Sequence, residues 1–271
     1  MSTKTLITDS TEKIKMRIYF RTSTNKNLNN RPQWFDYEKC WDNLLQTRMG
    51  NHITVIHDGP LDESMDFVGQ QENITVREIN SSAKLEDLIL DWQEKQEWYV
   101  DRDSNGREYK KRLEKPDREK AAGALMYDII YEDIKKVENK NDIVYMIEDD
   151  YLHLEGWPVV LDDVFNHYPN LNYASLYDHP DKYMERYKGL DTVLFLSTYS
   201  HWRFTPSTCG TYAGRISAFL EDEDIHKNNL GDHNKFLKLA EKKRIFVSCV
   251  PSFATHCVSG YVAPFREWGK L

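Results

Sequence analysis

The chain has 271 residues, of which 40% are hydrophobic and 13% aromatic, and a formal net charge of −8. Such a length holds one large domain or two small ones, with enough apolar side chains for a sizeable core. The acidic balance excludes a protein held to nucleic acid by bulk electrostatics, though not a local basic patch, and no apolar run reaches the ~18 residues of a membrane span.

Residues 1–15 are polar, lack the apolar core of a signal peptide and read as a disordered tail. A first strand is predicted at 16–21, a helix over 34–48, and strands at 53–56 and 74–79. A second helix is predicted over 85–98. Residues 102–120, mixed in charge around Asp103-Ser104-Asn105-Gly106, read as a loop. Residues 121–137 carry a broad apolar stripe and predict a strong helix. The next run, Asp142-Ile143-Val144-Tyr145-Met146-Ile147, reads as a buried strand that ends abruptly in Glu148-Asp149-Asp150. This alternation argues for an α/β fold with a mainly parallel sheet flanked by helices, whose ligands bind at strand carboxyl ends. Asp58 and the 148–150 acids are therefore expected to face one crevice.

The second half reads as a lobe completing that crevice. It offers a helix after Trp157-Pro158, short strands at 173–177 and 193–196, and a Ser/Thr/Gly-rich stretch at 205–214. Helices beginning at 215 and over 232–242, and a strand at 245–250, follow. Cys40, Cys209, Cys249 and Cys257 lack Cys-x-x-Cys spacing and read as reduced thiols of a cytosolic protein.

Three adjacent carboxylates repel one another and gain nothing by packing. They read either as oxygen ligands of a hard divalent cation bridged to phosphates, or as a solvated acidic turn.

With these residues in view, the chain resembles, over roughly residues 16–268, the metal-dependent nucleotide-sugar glycosyltransferases with the GT-A fold. Glu148-Asp149-Asp150 is similar to that family's Asp-x-Asp-type motif, although it begins with Glu. Asp58 stands where an acid contacts the nucleoside. Pro251-Ser252-Phe253-Ala254-Thr255-His256 is similar to a late segment whose His completes the metal site. The phrases Leu176-Tyr177-Asp178-His179-Pro180-Asp181 and His201-Trp202-Arg203 look like a group of glycosyltransferases common in tailed phages.

The resemblance implies a GT-A-like, Rossmann-like domain over 16–271, with 16–151 as the nucleotide-sugar half and 152–271 as the acceptor half. It implies a nucleotide-diphospho-sugar donor, most naturally UDP-linked, and Mn²⁺ or Mg²⁺ held by Asp150 and His256. Arg21, Thr22, Asp58, Glu148 and Asp149 would contact the nucleotide. The acceptor would be a glycan hydroxyl or, for a phage protein, a hydroxymethylated DNA base. No membrane and no obligate protein partner is implied, and the expected location is the cytoplasm.

An inverting transfer needs a general base near neutral pH. Asp232 and His233, before a predicted helix, are candidates, as is Asp178 beside His179 in a Pro-broken loop. Asp232 reads equally as a helix N-cap. Trp157, Tyr177 and Trp202 read as an acceptor floor or as core. Lys110-Lys111-Arg112 with Lys115, Arg118 and Lys120 reads as a solvated face, or as phosphate contacts for a DNA acceptor. Ser207 to Thr211 reads as a turn or as donors to sugar or phosphate, and no P-loop occurs. Two alternatives stand beside the transferase: a nucleotidyltransferase, for which a Gly-rich loop after the first strand is missing, and an inactive nucleotide-sugar-binding module.

Overall fold

The computed structural model describes residues 14–24, 26–60, 72–95, 98–102, 107–112, 114–228 and 231–271. The expected tail therefore lies outside the described residues, save its last two.

The centre is a nine-stranded sheet. Its members are β1 (Met16–Ser23), β2 (Ile53–Asp58), β3 (Ile74–Ile79), β6 (Ile143–Glu148), β8 (Tyr173–Ser175), β9 (Leu194–Leu196), β10 (His201–Phe204), β11 (Tyr212–Arg215) and β12 (Phe246–Val250). The order is β3-β2-β1-β6-β11-β8-β12-β10-β9. The first four strands run parallel. Only β11 and β10 oppose that direction, so seven of the nine strands point one way. The expected α/β architecture is thus found, and the strands of the second half join the same sheet.

Period-2 alternation on β1 and β6 feeds two cores. Ile18, Phe20, Tyr145 and Ile147 face one core, with Trp41 and Leu44 of α1 (Tyr37–Thr47) and Trp157, Leu161 and Phe165 of α4 (Trp157–His167). Tyr19, Val144 and Met146 face the other. Helix α3 (Arg118–Ile134) covers that side with Tyr127, Ile130 and Ile134, joined by α5 (Ile216–Glu221), α6 (Glu223–His226) and α7 (Asp232–Glu241). Both faces are therefore buried, which explains the unbroken apolar run before the acids.

Helix ends follow local chemistry. Asp36 accepts from the Glu38 N–H at 2.8 Å to start α1, and Asp117 accepts from Lys120 N–H at 2.9 Å to start α3. Helix α2 (Ser81–Lys95) begins four residues before the predicted 85. Asn80 accepts from the Ser82 and Ala83 N–H groups at 3.1 and 3.2 Å, and these caps outweigh the weak apolar pattern.

The predicted loop over 102–120 is corrected. Strands β4 (Trp98–Arg102) and β5 (Glu108–Arg112) form an antiparallel hairpin, and α3 has started by Arg118. The Arg112 guanidinium lies 4.1 Å from the Trp92 ring, fastening the hairpin to α2. The Asp103-Ser104-Asn105-Gly106 stretch lies outside the described residues.

One short ladder positions the site. Strand β7 (Tyr151–His153) pairs antiparallel with β13 (Ala254–His256), with His256 opposite Tyr151. This brings His256 beside the end of the acidic run.

Candidate functional site

The carboxyl ends of β1, β2 and β6 stand side by side: Ser23 is level with Asp58, and Arg21 with Glu148. They open into a cleft of about 450 Å³, lined among others by Arg21, Thr22, Asp58, Glu148, Asp149, Asp150, Asp232 and His256. The crevice expected from the strand pattern is therefore formed, and eight of the candidate residues meet in it.

Each acid of the run has its own cation. Arg21 grips Glu148 in a close ion pair. Lys26 Nζ lies 2.6 Å from Asp149 Oδ2, which also accepts from Thr22 Oγ1 at 2.7 Å. Arg31 Nη1 donates to Asp150 Oδ2 at 2.7 Å. Three strand-end carboxylates are thus balanced by three basic side chains from β1 and the segment after it. Mutual repulsion, the original reason to place an external cation there, is relieved internally. The run is not a solvated turn either, because Asp150 is 8% exposed.

Asp150 keeps one oxygen in reserve. Arg31 and His256 Nε2, the latter at 3.0 Å, both meet Oδ2, while Oδ1 is buried with no hydrogen-bond partner. A buried carboxylate oxygen left unpaired costs free energy and calls for a ligand. Burial alone would raise the Asp150 pKa, but the hydrogen bond and charge of His256, and then Arg31, outweigh it and hold the group below its ordinary value. Burial likewise opposes His256 protonation, and Asp150 overcomes it, raising the imidazole. Burial pushes Glu148 upward against the pull of Arg21.

Among the described residues no three His, Cys, Asp or Glu side chains form a ready-made metal cage. The donors present nevertheless fit a divalent ion that takes its remaining ligands from a diphosphate and water, as Mg²⁺ commonly does. They are one carboxylate with a free buried oxygen and one adjoining imidazole, and the imidazole suits Mn²⁺.

The other candidates are placed as follows. Asp58 lines the cleft, but its carboxylate accepts from Ser81 N–H at 2.9 Å and Ser81 Oγ at 2.6 Å, helping to hold the start of α2. Asp232 begins α7 and lies 3.4 Å from Lys235 Nζ. The side chain of His233 lies outside the described residues. Asp178 is fully buried and does not line the cleft. It pairs with Arg203, accepts from the Tyr183 hydroxyl and has a raised pKa through burial. Having no access to the cleft, it holds structure and is set aside as a base. Trp157, Tyr177 and Trp202 are at most 1% exposed and belong to the core, so the aromatic floor is not formed by them.

The 207–211 stretch supports the acids from behind. Thr211 Oγ1 accepts from the Glu148 N–H at 3.0 Å. A Cβ at Gly210 would stand 2.6 Å from Glu148 Oε1, so a larger residue there would push the Glu148 carboxylate aside. The basic cluster is dispersed: Lys111 and Lys120 share Glu114, and Arg118 reaches toward Asp58 at 3.9 Å. Lys26, Arg31, Tyr37 and Glu119 line the cleft although no sequence pattern singled them out. The usable signal was position alone, since the segment after a strand's carboxyl end lies beside the ligand in such folds.

No family model and no curated protein matches the chain. Similar solved structures include mouse xyloside xylosyltransferase 1 in its apo form, at 10% identity and a TM-score of 0.40, covering 86% of this chain and 83% of that one. S. aureus TarS 1-349 is 12% identical with a TM-score of 0.42, over 87% of this chain and 58% of that one. The 4-diphosphocytidyl-2C-methyl-D-erythritol synthase of Anaerococcus prevotii is 7% identical with a TM-score of 0.40, over 94% of both. Likeness at this level assigns no activity. The strand order and the cleft define the class: an α/β protein whose candidate ligand site lies at the carboxyl ends of a largely parallel sheet. Among the described residues no helix is long and apolar enough to cross a membrane.

Proposed function

We propose that the chain is a metal-dependent glycosyltransferase that moves a sugar from a nucleotide-diphospho-sugar, UDP-linked by preference, to an acceptor hydroxyl. The observation that carries this reading is the buried, unpaired Asp150 Oδ1 beside His256 in the strand-end cleft.

Asp150 and His256 are the residues that would hold Mn²⁺ or Mg²⁺. A divalent ion there supplies Lewis-acid neutralisation of the diphosphate leaving group. Lys26 and Arg31, already at the cleft wall, add positive charge on the same side. Arg21 fixes Glu148, and Thr22 and Lys26 fix Asp149, so both acids are oriented to accept hydrogen bonds from the ribose or a metal-bound water. Asp232 lines both the cleft and the adjoining pocket, with a side chain 42% exposed. It is the general base of an inverting transfer, taking the acceptor hydroxyl's proton while Lys235 steadies its carboxylate.

The acceptor we favour is a glycan hydroxyl. A hydroxymethylated DNA base calls for a continuous basic track, and the basic residues near 110–120 are split between a hairpin, Asp58 and the second pocket.

The test is turnover of a UDP-sugar panel with Mn²⁺ and with chelator, reading the released product. Metal-dependent release of UDP supports the reading. Pyrophosphate release would replace it with a nucleotidyltransferase, and absence of nucleotide binding would leave a non-catalytic module.

A further inference from the structure

Behind the Arg21–Glu148 pair lies a second, smaller pocket of about 180 Å³. It shares Arg21, Glu119, Glu148 and Asp232 with the cleft, so the two have a common wall. Its far side is formed by Tyr127 of α3, His226 of α6 and Lys235 of α7. Ligand pockets for nucleotide-sized molecules run ~300–1,000 Å³, so this one admits a single ring and not a nucleoside.

His226 is 2% exposed, and its protonation pattern follows from its neighbours. Tyr131 has one hydroxyl hydrogen, which goes to the Phe219 carbonyl at 2.7 Å. The phenol oxygen must therefore accept, at 2.7 Å, from His226 Nδ1–H. That leaves Nε2 as a bare lone pair, buried and without a partner. Burial, aided by the charge of Lys235, keeps the ring neutral.

Lys235 is 6% exposed. Its ammonium donates to the Tyr127 hydroxyl at 2.9 Å and sits 3.4 Å from Asp232. Tyr127 in turn stacks on His226, with centroids 5.3 Å apart. His226 and Lys235 thus both line the pocket on linked side chains, one with an unpaired ring nitrogen and the other with a cationic donor.

We propose that this pocket receives the transferred sugar of the donor, and that His226 and Lys235 together read one hydroxyl of its ring. The inference rests on the glycosyltransferase reading above and names specificity residues for that site. A hydroxyl donates and accepts through one oxygen, so it satisfies Nε2 and the ammonium at once, whereas an amide does so only through two separate atoms. A phosphate would face the Nε2 lone pair, Glu148 and Asp232 with no proton to offer. An apolar group would leave His226 Nε2 unpaired, which is costly in a buried site. Glu119, Glu148 and Asp232 along the shared wall offer acceptors to the remaining hydroxyls.

The experiment is calorimetric titration with Mn²⁺ present, using UDP, UDP-glucose, UDP-galactose and UDP-N-acetylglucosamine as probes. The proteins are the native chain, His226→Phe, which keeps a flat ring, and Lys235→Met, which keeps the stem. Folding is checked by circular dichroism, and Lys235→Met carries the test alone should His226→Phe not fold. Expected is unchanged affinity for UDP in the variants, with the preferred UDP-sugar weakened about tenfold or more. Discrimination between the glucose and galactose donors, which differ in one hydroxyl, is expected to shrink in parallel. Unchanged sugar affinity in both variants overturns the pocket assignment while sparing the parent reading. Equal loss of UDP and UDP-sugar also overturns it, because the effect then is not on the sugar. Native protein that binds none of the four probes overturns both.

Discussion

Replacing Asp150 by Asn changes one charge without changing shape, and separates the two duties assigned to this residue. In the resting protein Asp150 faces Arg31, 10% exposed as a side chain, and His256. Removing one partner of a buried pair costs ~3–5 kcal/mol, but the amide oxygen still accepts one hydrogen bond, so about 2–3 kcal/mol is expected. At ~2–4 °C per kcal/mol for a chain of this size, the melting temperature falls by roughly 4–12 °C. The second duty is read by adding Mn²⁺ and UDP separately and together. At 100 times the dissociation constant, the pair should stabilise native protein by about 2.7 kcal/mol, and Asp150→Asn should lose that increment. A variant with the native melting temperature and the native response to Mn²⁺ plus UDP refutes both the charge balance and the cation site. A lowered melting temperature with an intact response would leave Asp150 a structural residue only.

Three further outcomes are expected. Asp232→Asn lowers turnover by roughly 10²–10⁴-fold with little change in donor affinity, and normal turnover would point to a different base or to retention. Gly210→Ala forces Glu148 away, since its Cβ would lie 2.6 Å from Oε1; a loss of about 1–3 kcal/mol in denaturant unfolding checks this, and an unchanged midpoint refutes it. On acidification, His153 and His226 weaken the fold together, against the raised Glu148: burial lowers the His153 pKa to about 3, and its Nε2 shares a 2.7 Å hydrogen bond with Tyr145. Its folded pKa lies below the unfolded ~6.5, so the unfolded chain takes up the proton first and stability falls as pH drops below about 6.5, by up to ~1.4 kcal/mol per unit. His226 acts in the same sense, whereas the raised His256 loses its contribution only as pH rises above its unfolded value. A melting temperature flat from pH 7 to 5 would contradict this.

How much of this was legible depends on range and on pattern. The strand ends at Asp58 and Glu148 were readable because apolar β-formers stop abruptly at charged residues. His256 was readable only as a motif, since it meets Asp150 across 106 residues through a ladder three residues long. Strands β10 and β11 are four residues each and sit in or beside a Ser/Thr/Gly-rich stretch, so no period could show them. The β4–β5 hairpin was hidden by its charged sequence, which shows no apolar alternation, and the hairpin stands apart from the main sheet. Aromatic side chains serve cores and binding floors alike, and only burial decided for Trp157, Tyr177 and Trp202. Arg21 was read as a ligand contact; it lines the cleft, and its pairing with Glu148 was not readable, because a sequence does not say which charges meet.

That last point reshapes the case for a cation. Glu148, Asp149 and Asp150 with Arg21, Lys26 and Arg31 sum to no net charge. At this end of the cleft a lone ion gains little, because the carboxylates it would meet are already paired, while Asp58, Glu119 and Asp232 against Arg118 leave the rest of the lining acidic. A nucleoside diphospho-sugar carries two negative charges on its diphosphate, and Mn²⁺ or Mg²⁺ carries two positive ones. Together they enter as a neutral unit. On the proposed function, Arg31 and Lys26 would turn from their carboxylates to the phosphates, leaving those oxygens for the metal. On the proposed function, metal and nucleotide must therefore bind with positive coupling, and by the same factor in either order. Asp150 Oδ1 is a buried oxygen with no hydrogen-bond partner, so on the proposed function that exchange begins there.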